Sequence, residues 1–79
     1  MRILYFAQAR LTTGRSEDSI SSSEPMTAEC LWKLLTQIHP SLHPLQSSCR
    51  IAKNGSFLLP GQKLEPRDEV AVLPPVSGG

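Results

Sequence analysis

Hydrophobic positions open the chain: Arg2-Ile3-Leu4-Tyr5-Phe6-Ala7-Gln8-Ala9. Side chains of an extended strand alternate between two faces, so Ile3, Tyr5, Ala7 and Ala9 share one side and Leu4 and Phe6 the other. Apolar residues on both sides predict a central strand. Thr12-Thr13-Gly14 marks a turn. The polar, serine-rich stretch 17–23 has Ile20 as its one clear apolar position, and reads as a weak edge strand folded back on the first, or as loop.

Pro25 then punctuates the chain. Thr27 is placed to cap a helix, and Glu29 falls in its first turn, where the helix dipole favours an acid. Ala28, Leu31, Leu34, Leu35 and Ile38 recur at helical spacing, His39 falls in the last turn and Pro40 ends the helix. Trp32 and Lys33 are expected on the helix surface, and Cys30 as an inert thiol near the core. Residues 40–48, with a second proline at Pro44, read as loop. The stretch 51–59 is a hairpin pattern turning on Asn54-Gly55, the pair that supplies two positive φ values. Pro60-Gly61 breaks its second strand, 64–68 is a compact turn, and 69–73 is a last strand of alternating Val70, Val72 and Ala71, Leu73.

The predicted order is strand, strand, helix, strand, strand, strand: an α+β domain with a mixed sheet of about five strands and one main helix. One helix covers one face of such a sheet. Alternation assigns Ile3, Tyr5, Ala7, Val70 and Val72 to the helix side. If the first and last strands are neighbours, Leu4, Phe6, Ala71 and Leu73 form a contiguous apolar patch on the open side. Such a patch marks a protein interface.

Composition narrows the function classes. Seventy-nine residues make one domain with one thin core and little room for an enclosed active site. Eight Lys and Arg against seven Asp and Glu, scattered without runs, argue against a nucleic-acid partner. No apolar run is long enough to span a membrane, and the N-terminal stretch turns polar too soon for a signal peptide. The chain reads as cytosolic, with Cys30 and Cys49 reduced. Cys30, His39, His43 and Cys49 could be drawn as a zinc site, and His39-x-x-x-His43 has an allowed spacing. But the Cys-x-x-Cys pair is missing and Pro40 breaks the helix between the histidines, so no metal is expected. No phosphate-binding glycine loop and no serine elbow is present, as befits a carrier that borrows its chemistry.

The last stretch, Leu73-Pro74-Pro75-Val76-Ser77-Gly78-Gly79, has a distinct design. Two prolines fix φ and make a stiff exit from the body. Two glycines without Cβ make a thin end, able to thread a narrow channel.

Phe6-Ala7-Gln8-Ala9-Arg10, the Asn54-Gly55 hairpin and the ending Asp68-Glu69-Val70-Ala71-Val72-Leu73-Pro74-Pro75-Val76-Ser77-Gly78-Gly79 resemble the small, sulfur-carrying subunit of molybdopterin synthase. The resemblance runs along essentially the whole chain, and the ending is its most specific part. It implies the ubiquitin-like β-grasp fold over residues 1–79, with 74–79 as a flexible tail. Two positions depart from the family's pattern. Leu11 stands where an acid is common, and Arg67 replaces a turn glycine. If that turn needs φ > 0, Arg67 is strained by about 1–2 kcal/mol.

The resemblance also implies a mechanism. An ATP-dependent partner adenylates Gly79, making AMP the leaving group, and sulfur replaces AMP to leave a C-terminal thiocarboxylate. The tail (Pro74, Pro75, Val76, Ser77, Gly78) then threads into the large synthase subunit, where sulfur passes to the pterin precursor. Leu4, Phe6, Arg10, Ala71 and Leu73 are the implied docking residues, and no tightly bound cofactor is implied, only transient AMP and sulfur on Gly79. Two other classes stay open: another ubiquitin-like carrier or modifier, of the thiamine or tRNA thiolation type, and a plain ubiquitin-like interaction domain.

Overall fold

A computed structural model of the chain describes residues 1–75; Val76, Ser77, Gly78 and Gly79 lie outside the described residues. The chain runs β1 (Arg2–Tyr5), α1 (Ala7–Thr13), β2 (Glu17–Ser19), α2 (Ala28–Ile38), a 3₁₀ segment (Pro40–Ser48), β3 (Arg50–Lys53), β4 (Ser56–Phe57) and β5 (Glu69–Leu73). The five strands form one mixed sheet in the order β2-β1-β5-β3-β4. β1 pairs parallel with β5, and the other pairings are antiparallel. First and last strands are therefore neighbours at the centre of the sheet, as the apolar patch requires.

The first strand is shorter than its alternation predicts. It ends at Tyr5, and Ala7 turns into α1 with φ 49°. Ala-Gln-Ala-Arg-Leu is a run of strong helix formers. Ala9 is fully buried, which suits a helix as well as a strand, so period two could not tell the two apart. Ala7, assigned by alternation to the core side, is exposed. Gly14 closes α1 in the left-handed region (φ 71°), its N–H donating to the Arg10 carbonyl at 3.0 Å. The serine-rich stretch forms a strand only over Glu17–Ser19, and β4 stops at Phe57 rather than running to Leu59.

Thr27 caps α2 as expected, accepting from the Cys30 N–H at 3.1 Å. The buried stripe, however, is Leu31, Trp32 and Leu35, with Ile38 half exposed. Positions 28, 31, 32 and 35 lie closer to one line on a 3.6-residue helix than 34 and 38 do. Trp32 is thus a core residue, not a surface one, and Cys30 is exposed, not core-lining. Residues 40–48 are a 3₁₀ segment rather than loop, with Pro44 inside it and Leu42 fully buried. Ile3, Tyr5, Ile51, Val70 and Val72 of the sheet pack against Ala9, Leu31, Trp32, Leu35 and Leu42 in one core. All helical segments contribute to that one core, and among the described residues no helix covers the opposite sheet face.

Polar bonds pin the edges. Asp18 Oδ2 accepts from the Tyr5 hydroxyl at 2.8 Å and lies 2.7 Å from His39 Nε2, while Oδ1 pairs with Arg15 Nε at 2.7 Å. This joins β1, β2 and the end of α2. Burial works to raise the Asp18 carboxyl, but the bonds from His39 and Tyr5 and the Arg15 charge hold it below its ordinary value. Burial and the bond to Asp18 push the Tyr5 hydroxyl well up.

Asn54 and Gly55 take φ 50° and 87° as the hairpin demands. The Asn54 side chain also reaches across, donating to Asp68 Oδ1 at 2.9 Å and accepting from the Glu69 N–H at 3.0 Å. Asp68 Oδ2 accepts from the Glu65 N–H at 2.7 Å, closing the turn before β5. That bond, with the bond from Asn54 and the nearby Lys53 charge, outweighs burial and holds the Asp68 carboxyl low. Arg67 does not have positive φ, so the strain its substitution for glycine raised does not arise.

Two outcomes are expected. Gly55→Val lowers stability by about 1–2 kcal/mol, because a side chain resists the left-handed backbone there. A Cβ at Gly55 would meet nothing within 4 Å, so the loss is conformational rather than steric. Gly55→Asn, at ease in that region, loses much less in the same denaturant titration. The second concerns acid. With the Asp18 and Asp68 carboxyls held low, the unfolded chain binds protons first. Their contribution is complete above about pH 4 and is lost as pH falls through the folded values. Asp18→Asn should cost about 1–3 kcal/mol at pH 7 and flatten the acid limb of a stability–pH profile.

Candidate functional site

Cross-strand register builds the uncovered face. Leu4 lies opposite Ala71, Ala71 opposite Ala52, and Ala52 opposite Phe57. These four make an apolar row across β1, β5, β3 and β4. The next row toward the tail sets Leu73 opposite Arg50. Phe6 follows β1 in extended geometry (φ −121°, ψ 155°) and is 45% exposed. Leu4, Ala71 and Leu73 are half-buried, and Phe57 is 49% exposed. Such apolar surface on one sheet face, with none of the described residues packed over it, is the form of a protein interface.

The far end of the face is polar. Arg2 Nε and Nη2 donate to the two carboxylate oxygens of Glu17 at 3.1 Å each, and Nη1 donates to Glu69 at 3.0 Å. The bonds and charge of Glu17 raise the Arg2 guanidinium further, and Arg2 in turn holds the Glu17 carboxyl low. Exposed pairs of this kind add little stability. Their effect here is to bound the apolar row with a charged cluster, one cation paired to two acids.

At the tail end, Leu73, Pro74 and Pro75 line a groove of about 280 Å³ with Ser48, Arg50 and Phe57. The Arg50 guanidinium stacks 3.9 Å from the centroid of the Phe57 ring. A wider depression of about 460 Å³, between the start of α2 and residues 58–63, is lined by none of the expected docking or tail residues.

Of the expected docking residues, Leu4, Ala71 and Leu73 come together and Phe6 stands at their strand end. Arg10 is exposed on α1, off the sheet. Pro74 and Pro75 leave directly from β5, whereas Val76, Ser77, Gly78 and Gly79 are outside the described residues. Phe57, Ala52 and Arg50 are additions that sequence reasoning missed. The two-residue turn at Asn54-Gly55 already sets Ala52 against Phe57, but only the β3–β5 pairing puts them beside Ala71. The drawn cysteine–histidine set does not assemble: His39 is bonded to Asp18, and among the described residues no group of three or more His, Cys, Asp or Glu could hold a metal ion. Burial pushes the Cys49 thiol up, away from its nucleophilic form.

The ThiS family model matches residues 3–79. The molybdopterin synthase sulfur carrier subunit of Chlamydomonas reinhardtii is 33% identical, covering 100% of this chain and 98% of its own. The human protein of the same name is 34% identical, over 100% of this chain and 93% of its own. Among solved structures, SAMP1 from Haloferax volcanii superposes with a TM-score of 0.82 over 99% of this chain and 97% of its own, at 23% identity, which speaks to the fold alone. A putative molybdopterin converting factor subunit 1 from Pyrococcus furiosus gives 0.80 at 25% identity, over 95% of each chain. Matched by one family model along residues 3–79 and by full-length relatives above 30% identity, the chain belongs to the ThiS family.

Proposed function

We propose that this chain is the sulfur carrier subunit of a molybdopterin synthase, working in the cytosol. The observation that carries the reading is the apolar row Leu4–Ala71–Ala52–Phe57 with Leu73 at its end, on the strand from which the tail departs. Docking this face on a larger catalytic subunit aims Pro74 and Pro75, and the tail beyond them, at that subunit. The curated relatives carry the same functional name.

Gly79 is the reactive residue in this reading. A terminal carboxylate titrates near pH ~3.5, so it is ionised at neutral pH and a poor electrophile. ATP supplies the activation: the carboxylate attacks the α-phosphorus, pyrophosphate leaves, and Gly79 becomes an acyl adenylate. Sulfide from the sulfur donor attacks the acyl carbon and displaces AMP, and the thiocarboxylate formed is a soft nucleophile on a thin arm. Attack on the pterin precursor in the large subunit transfers the sulfur, and hydrolysis returns the carboxylate. The carrier is thereby ready for another round, one hard step having been divided into easier ones. Adenylating and acid–base groups belong to the partners.

Two tests follow. Leu73→Asp and Phe6→Asp each weaken binding to the large subunit by about 2 kcal/mol or more, since both put a charge into a desolvated contact. Calorimetric titration reads this, and circular dichroism of the isolated variants stays native. Unchanged affinity for both would refute the docking face. Deleting Gly79, or adding one residue after it, leaves the fold intact and abolishes dithiolene formation in a reconstituted synthase. Activity retained by either would refute the carrier role of the tail.

A further inference from the structure

Four charged side chains stand on the strands of the open face: Arg2, Glu17, Glu69 and Arg50. Arg2 is bonded to both acids, so those three are paired among themselves at the far end of the apolar row, with one negative charge in excess. Arg50 has no acidic partner among the described residues. It is paired across the ladder with Leu73, the last strand residue before the tail. Its guanidinium carbon lies over the Phe57 ring, 3.9 Å from the centroid, and the residue is exposed. The groove it lines is otherwise mostly apolar, formed by Phe57, Leu73, Pro74 and Pro75 with Ser48.

We propose that Arg50 is a specificity residue of this face, held by Phe57 to take a carboxylate of the large subunit beside the tail exit. This rests on the reading that the open face docks on that subunit. Continuity with the apolar row says where the partner lies, and the unneutralised cation says what chemistry it presents there. An acidic side chain next to an apolar one on the partner fits the groove: the apolar group against Leu73 and Pro74, the carboxylate on the planar fork. A guanidinium offers two parallel donors to a carboxylate, which an ammonium does not. The contact adds direction to an otherwise non-directional apolar docking, and it stands at the point that aims the tail.

The test is titration of the large subunit with wild type, Arg50→Gln, Arg50→Lys and Leu73→Asp, at low salt and near 1 M salt. Arg50→Gln should raise Kd about tenfold at low salt. That gap should close at ~1 M salt, where the screening length falls to ~3 Å. Arg50→Lys should recover part of the loss, and thermal melts of both variants should match wild type. Wild-type affinity of Arg50→Gln alongside weakened Leu73→Asp would overturn the assignment and leave the docking face standing. Unchanged binding by both would remove the docking face itself. A loss for Arg50→Gln that ignores salt would mean missing packing on Phe57, not a missing charge pair, and also overturns the assignment. So would a defect confined to adenylation of the tail, with binding to the large subunit intact.

Discussion

Parallel pairing of β1 with β5 is the constraint on which the structure depends. It places the first and last strands at the centre of the sheet, with Ile3, Tyr5, Val70 and Val72 facing the core and Leu4, Ala71 and Leu73 facing out. The chain has only enough helix to cover one side. α1, α2 and the 3₁₀ segment all pack residues into the core formed with that side, and nothing among the described residues covers the other. The same pairing makes the tail leave from a central strand. Docking surface and tail exit are two consequences of one register.

The register is reinforced where it would be easiest to lose. Short edge strands pair weakly, and β2 and β4 have three and two residues. Asp18 ties β2 to Tyr5 of β1 and to His39 beyond α2, so the outer strand is anchored through side chains as well as through its ladder. At the other edge, Asn54 adopts the turn conformation and binds both Asp68 and the Glu69 backbone. The hairpin turn and the turn feeding β5 therefore hold each other in place, with no glycine needed at Arg67.

Much of this was legible in the chain. Period-two alternation in 3–6 and 69–73 separates core from open face, Asn54-Gly55 announces its own turn, and Thr27 and Pro40 bracket α2. Where reading failed, two periods competed over few residues. Ala7 and Ala9 satisfy a strand pattern and lie in a helix, since alanine carries no shape that distinguishes the two. On α2 the leucines at 34 and 35 drew the stripe off centre, and Trp32 was taken for surface. Residues 40–48 carry two prolines, a loop signal, yet 3₁₀ geometry accommodates them and buries Leu42. Phe57 and Arg50 belong to the site only through β3–β5 pairing, a contact between distant parts of the chain that no local pattern encodes.

The central claim is that a carrier body exists to present one terminal carboxylate. Intact-mass spectrometry tests it most directly, after incubating the chain with ATP, the activating enzyme and a sulfur source. The account predicts one oxygen exchanged for sulfur, located in the C-terminal peptide at Gly79. Sulfur found on Cys30 or Cys49, with the terminal peptide unmodified and a tail-deleted form still active, would contradict it.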